Sequence, residues 1–253
     1  MSGPPSLEGF GAPAQVVAAI DRLREELAGA AGANLAGLIL YGGLARGRYR
    51  PGRSDVNLVV LLHDATAASL APLAPPLQAA WRAVRVQPMV LTPAEVRRTA
   101  DAFPTKFLDI KEHHIVLAGD DPFVGLEVAR AAVQVRVEQE LRNLALRLRR
   151  RYLATAGEPA ELMPILLDAA RPLALALAAL LRLAGRAVPE EDRSATIFRE
   201  AAEAFDLDGK ALAALAALRR DETPALGLSD LYGRVLESAV RAAEVADRMK
   251  ESP

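Results

Sequence analysis

Residues 38–62 read LILYGGLARGRYRPGRSDVNLVVLL. Leu35 to Tyr41 and Val56 to Leu62 are short apolar runs bounded by turn residues, the pattern of buried strands. The connection holds Gly42, Gly43, Gly47, Pro51 and Gly52, too many helix breakers for a continuous helix, together with Arg46, Arg48, Arg50 and Arg53. Ser54-Asp55 stands just ahead of the second run, so the stretch predicts two sheet strands around a basic, glycine-rich loop with one acid at its exit.

The surrounding sequence supplies the rest of a small α/β layer. From Pro13 to Ala30, after a start rich in Gly and Pro that is expected to be flexible, Val16, Ala19, Ile20, Leu23 and Leu27 share one helical face. An Ala-rich helix is expected at about Ala65 to Trp81, irregular in its first half because of Pro72, Pro75 and Pro76. Val84 to Leu91 reads as a third strand. Thr92-Pro93-Ala94-Glu95 then combines an N-cap, a first-turn proline and a capping-box acid, so a helix starts there. Ile115 to Ala118, before Gly119-Asp120-Asp121-Pro122, predicts a fourth strand ending in a turn.

Beyond about Gly125 the strand signals stop. Val137, Leu141, Leu144, Leu148 and Tyr152 fall at helical spacing. Leu162 to Leu183 is apolar almost all round, which predicts a buried central helix with Pro164 in its first turn and a kink at Pro172. Further helices are expected at Glu190 to Phe205, Asp208 to Arg220 and Ser229 to Met249, the last capped by Ser229. The fold class is α+β: a small mixed-sheet domain over 1–122, then an all-α helical bundle over 123–253.

Composition bounds the function. The chain has 253 residues, a formal net charge of −1 and no cysteine. Disulfides, thiolate metal sites and a cysteine nucleophile are thereby excluded. The charge exerts no long-range pull on nucleic acid or an anionic membrane, so neither is an expected partner. MSGPPSLEGFGAPAQ has neither a basic nor an apolar leader segment, and Pro172 to Leu181 falls short of the roughly 20 residues of a membrane span, so a cytoplasmic location is expected. His113 and His114 are adjacent and cannot share one face, which argues against a histidine metal site. No Gly-x-Ser-x-Gly elbow points to a serine triad. Arg147, Arg149, Arg150 and Arg151 suit a solvated helix face.

Tyr41-Gly42-Gly43, a spacer to Ser54, and then Asp55-Val56-Asn57-Leu58 resemble the active-site hairpin of the DNA polymerase β-like nucleotidyltransferase superfamily. The resemblance covers about Leu35 to Leu91. The helical half resembles the bundle of aminoglycoside and small bacterial nucleotidyltransferases, which completes the acceptor cleft. It implies a site in which two acids, two residues apart on a strand, and a third from a neighbouring strand hold two Mg²⁺ ions on a nucleoside triphosphate. The triphosphate tail is expected on a glycine turn that opens a helix. Carried over by position, Gly42, Gly43, Gly47 and Ser54 are phosphate-binding candidates, and Asp55 is the catalytic acid and metal ligand. Arg46 and Arg48 join the phosphate-binding candidates by charge, because Arg46, Arg48, Arg50 and Arg53, each of which singly suits an ordinary solvated loop face, can together bind a triphosphate beside the turn. Gly42, Gly43 and Gly47 equally suit a plain tight turn, and Asp55 a strand-end cap.

Two positions depart from the pattern. Asn57 stands where the second acid is expected and Gln87 where the third is expected, so Asp55 alone remains. The leading expectation is a protein that keeps the fold and binds a nucleotide, another phosphate ligand or a partner protein without efficient transfer. An active Mg²⁺-dependent enzyme that recruits Glu95, Asp101, Asp109 or Glu112, moving a nucleoside monophosphate to a small-molecule or protein acceptor, is the alternative. A structural or regulatory partner with no ligand is the third reading. With no histidine after residue 114, the bundle lacks the Arg-to-His ribonuclease motif of HEPN domains.

Overall fold

The computed structural model describes residues 11–52, 54–188 and 193–249. The first ten residues, Arg53 and Glu190 lie outside them, and so do the expectations that rest on those positions. The chain forms two compact units, Met1–Val128 and Ala129–Pro253.

The first unit runs α1 (Ala14–Ala31), β1 (Leu35–Tyr41), β2 (Val56–Leu62), α2 (Ala67–Leu70), α3 (Ala74–Val84), β3 (Val86–Leu91), α4 (Pro93–Ala102), α5 (Pro104–Glu112) and β4 (His114–Gly119). The strands form one mixed sheet in the order β3-β2-β1-β4. β1 is antiparallel to β2 and to β4, whereas β2 and β3 run parallel. Because strand side chains alternate in direction, the sheet carries two cores. Leu38, Leu40, Val56, Leu58, Val60 and Val86 pack with Ile20, Leu23 and Leu27 of α1 and with Val84 of α3. On the other face Ile39, Val59 and Leu61 meet Val96 and Ala100 of α4 and Phe107 and Ile110 of α5. Helices on both faces explain why β2 is apolar nearly throughout, as a strand buried on both sides must be.

Local chemistry sets the boundaries. Prolines split the helix between β2 and β3: a four-residue turn is followed by a 3₁₀ step at Ala71–Leu73, and only from Ala74 does a regular helix run on. The Thr92–Glu95 capping box forms in both directions at the head of α4. The segment that periodicity left open, from Phe103, becomes α5 with Pro104 in its first turn, and β4 takes in His114 and Gly119 beyond the expected strand. The first unit continues to Val128 because Phe123 and Leu126 are buried against the sheet.

The second unit is helical: α6 (Arg130–Ala154), α7 (Pro159–Leu183), α8 (Arg193–Phe205), α9 (Gly209–Leu218) and α10 (Leu228–Arg248). α7 is its central element, with Leu166, Ala170, Leu173, Leu177 and Leu180 fully buried. By length and composition alone α7 is apolar enough to cross a membrane, but 67% of its most apolar window is buried within the fold. Two cap expectations are corrected. α7 begins at Pro159, which puts Pro164 in the second turn rather than the first. α10 begins at Leu228 with Gly227 in the cap position, because the Leu231 N–H closes the first turn on the Gly227 carbonyl at 2.9 Å; Ser229 is therefore inside the helix and caps nothing. Asp208, expected as the first residue of α9, is its N-cap and accepts the Ala211 N–H at 3.0 Å.

Candidate functional site at one end of the sheet

The strand register lines up four polar side chains in one row. Gln87 pairs with Asn57, Asn57 with Tyr41, and Tyr41 with His114. Each has the parity of the α4/α5 face, where Met89, Val59, Ile39 and Val116 are packed. A row of polar groups at the end of an otherwise apolar face is the edge of the core, where water and ligands reach it. All three of Tyr41, Asn57 and Gln87 are partly exposed.

Asp55 sits just ahead of β2, whose first residue is Val56, and Asn57 is the second residue of that strand. The Asp55 carboxylate accepts a hydrogen bond from Arg85 Nε at 2.7 Å. Arg85 joins α3 to β3 and is locked by backbone bonds on both sides: its N–H donates to the Trp81 carbonyl at 2.8 Å, and its carbonyl accepts the Val56 N–H at 3.2 Å. Its guanidinium also lies over the Trp81 ring, 5.8 Å from the centroid.

Arg85 is left-handed, with φ +58°. A non-glycine residue there costs roughly 1–2 kcal/mol. The ion pair does little to offset this, since both side chains are more than a third exposed, at 52% and 36%, and such pairs contribute about 0.2–1 kcal/mol. The left-handed conformation is that of a helix C-cap, since Arg85 closes α3.

The glycine turn differs from the expectation in one respect. Residues 42–47 are turn and 48–50 irregular, so no helix opens from it. The N–H groups of Gly47 and Arg48 are spent inside the turn, on the carbonyls of Leu44 at 3.0 Å and Gly43 at 2.8 Å. Gly42 is required where it stands: its φ is +79°, and a Cβ there would lie 2.9 Å from Asn57 Nδ2. The turn thus packs its backbone directly against the Asn57 amide. Ser54 closes the far end of the loop, accepting the Arg50 N–H on Oγ at 3.0 Å and donating its own N–H to the Arg50 carbonyl at 2.9 Å.

α5 contributes residues that no sequence pattern singled out together. Asp109 forms an ion pair with Arg46, whose side chain is only 13% exposed. Lys106 lies 5.7 Å from the Tyr41 ring centroid. Burial pushes the Tyr41 phenol above its ordinary range. His114 Nε2 is 3.1 Å from Asp121 Oδ2 and its Nδ1 is 2.9 Å from the Ile110 carbonyl. Of the other acids considered, Glu95 is engaged in the α4 capping box. Among the described residues no three His, Cys, Asp or Glu side chains come together in a group that could hold a metal ion.

No protein-family model matches the chain, and no curated protein matches it. Among solved structures it is similar to spectinomycin adenyltransferase AAD(9) from Enterococcus faecialis, crystallised with ATP and spectinomycin. The TM-score is 0.53 at 12% identity, over 92% of this chain and 98% of that one. At that identity the likeness shows the fold alone, a nucleotidyltransferase-like α/β domain followed by a helical bundle.

Proposed function

We propose that this protein uses the nucleotidyltransferase fold to bind a nucleoside triphosphate, or a ligand with the same phosphate chemistry, without transferring it efficiently. One observation carries the reading: of the three positions where carboxylates are expected, only Asp55 is an acid, and Arg85 is bonded to it, while Asn57 and Gln87 are paired neutral amides. That donor set does not fit a pair of Mg²⁺ ions. Hard dications want charged oxygens, an amide supplies at most a neutral carbonyl, and a guanidinium on the remaining carboxylate repels a cation that approaches it.

Binding is retained in this reading because basic side chains lie around the turn. Arg46, whose charge is shared with Asp109, and Arg48 flank Gly47 in the turn after β1, and the similar fold of spectinomycin adenyltransferase AAD(9) is seen with ATP. The alternative, an active enzyme with a recruited acid, draws less support, since Asp109 is paired with Arg46 and Glu95 with the head of its own helix.

Calorimetry with ATP, paired with a pyrophosphate-release assay over a panel of aminoglycoside acceptors that includes spectinomycin, tests the proposal. Binding with no release above background is expected. Turnover at an ordinary rate that Asp55→Ala abolishes would overturn the loss of transfer. Absence of binding at millimolar ATP would overturn the ligand.

A further inference from the structure

The mismatch between this site and a metal pair has a positive side. We infer that the Arg85 guanidinium takes the place of the metal: the triphosphate binds directly to this fixed cation, and its affinity does not depend on Mg²⁺. The inference rests on the triphosphate-binding reading above and names the group that does the binding.

Position is the first argument. Arg85 is bonded through Nε to Asp55, the one acid among the three expected positions, so positive charge already sits on the ligand that a cation would use. A guanidinium has five N–H donors in a planar fork. With Nε engaged, the two terminal nitrogens remain to grip phosphate oxygens in the bidentate manner that arginine favours. The side chain is half exposed and within a ligand's reach.

The neighbours suit an anion better than acids would. Three carboxylates without metal would repel a triphosphate. Asn57 and Gln87 stand there as paired neutral amides instead.

Trp81 is the single tryptophan of the chain and lies beneath Arg85, so intrinsic fluorescence reports on the guanidinium directly. The full-length protein is titrated with ATP in EDTA and again in excess Mg²⁺, with calorimetry in parallel. The two dissociation constants are expected to agree within about threefold, a small difference in free energy. Arg85→Gly, which suits the left-handed backbone and leaves a thermal melt intact, is expected to weaken ATP by at least about tenfold, the scale of a lost charge-assisted pair. Arg85→Lys should recover part of that loss. A merely structural Arg85–Asp55 pair would leave ATP affinity in Arg85→Gly at the wild-type value, and that result overturns the inference. Binding that appears only with Mg²⁺ overturns it as well, while leaving the ligand reading intact. No calorimetric binding in either buffer would sink both.

Discussion

Asn57 and Gln87 occupy paired register positions on adjacent parallel strands, so their side chains are neighbours and any charge placed on both is strongly coupled. Converting them to acids therefore has two opposite effects. Without a cation, three crowded carboxylates repel one another and their protonated forms are favoured. With a cation they supply charged oxygens around it. The Asn57→Asp, Gln87→Glu double variant is expected to melt several degrees lower than wild type in EDTA, on the order of 1–2 kcal/mol, and to recover in millimolar Mg²⁺ through binding to the folded state. Asn57→Asp alone should show a smaller version of both changes. A double variant whose melting temperature ignores Mg²⁺ would mean that the missing acids are not what keeps the metal away. That Asn57 and Gln87 lie on neighbouring strands was legible from sequence, because the apolar runs and turn residues located those strands. The Arg85–Asp55 bond was not, since it depends on where α3 delivers its last residue.

At the scale of elements, α4 shows how a local signal fixes a helix that the site needs. Thr92 and Glu95 satisfy each other's exposed groups, and the helix then lays Val96 and Ala100 on the α4/α5 face of the sheet. Thr92→Ala is expected to cost about 1 kcal/mol, read in a denaturant melt, as loss of an N-cap does. The Glu95 carboxyl is held below its ordinary range, first by the Thr92 N–H and then by the Thr92 hydroxyl. A depressed carboxyl contributes stability that is present above its unfolded pKa and is lost as pH falls through the lower folded value. The cap contribution should therefore persist through neutral and mildly acidic pH and fade only below the ordinary glutamate range. Comparing Thr92→Ala with wild type across that range checks it, and a difference between the two that stays constant down to pH 2 would refute the account. α5 marks the opposite case. Its Phe107 and Ile110 are core residues while Lys106 and Asp109 reach Tyr41 and Arg46. In nine residues opened by a proline, that division is too short to stand out as a period.

At the scale of the whole chain, the two units each enclose their own apolar core. In the second, α7 carries two interior prolines and is held by its neighbours, so its stability comes from side-chain burial within residues 129–253. We expect that segment, produced alone, to show strong helical circular dichroism and a cooperative thermal transition. A non-cooperative melt would mean that its core depends on the first unit.

The amino-acid sequence by itself determined the strands around the glycine turn, the mixed class of the chain, the capped start of α4 and the apolar centre of the helical unit. Each of these follows from periodicity, turn chemistry and caps, which act over a few residues. Tertiary structure alone decided which polar groups meet. Asp55 finds Arg85 thirty residues away, and Arg46 finds Asp109 across a longer stretch of chain. Those pairings arise because the parallel β2–β3 register and the packing of α5 on the sheet bring distant residues to one end of it. No short-range pattern encodes that convergence, because side chains far apart in sequence leave no mutual spacing to read.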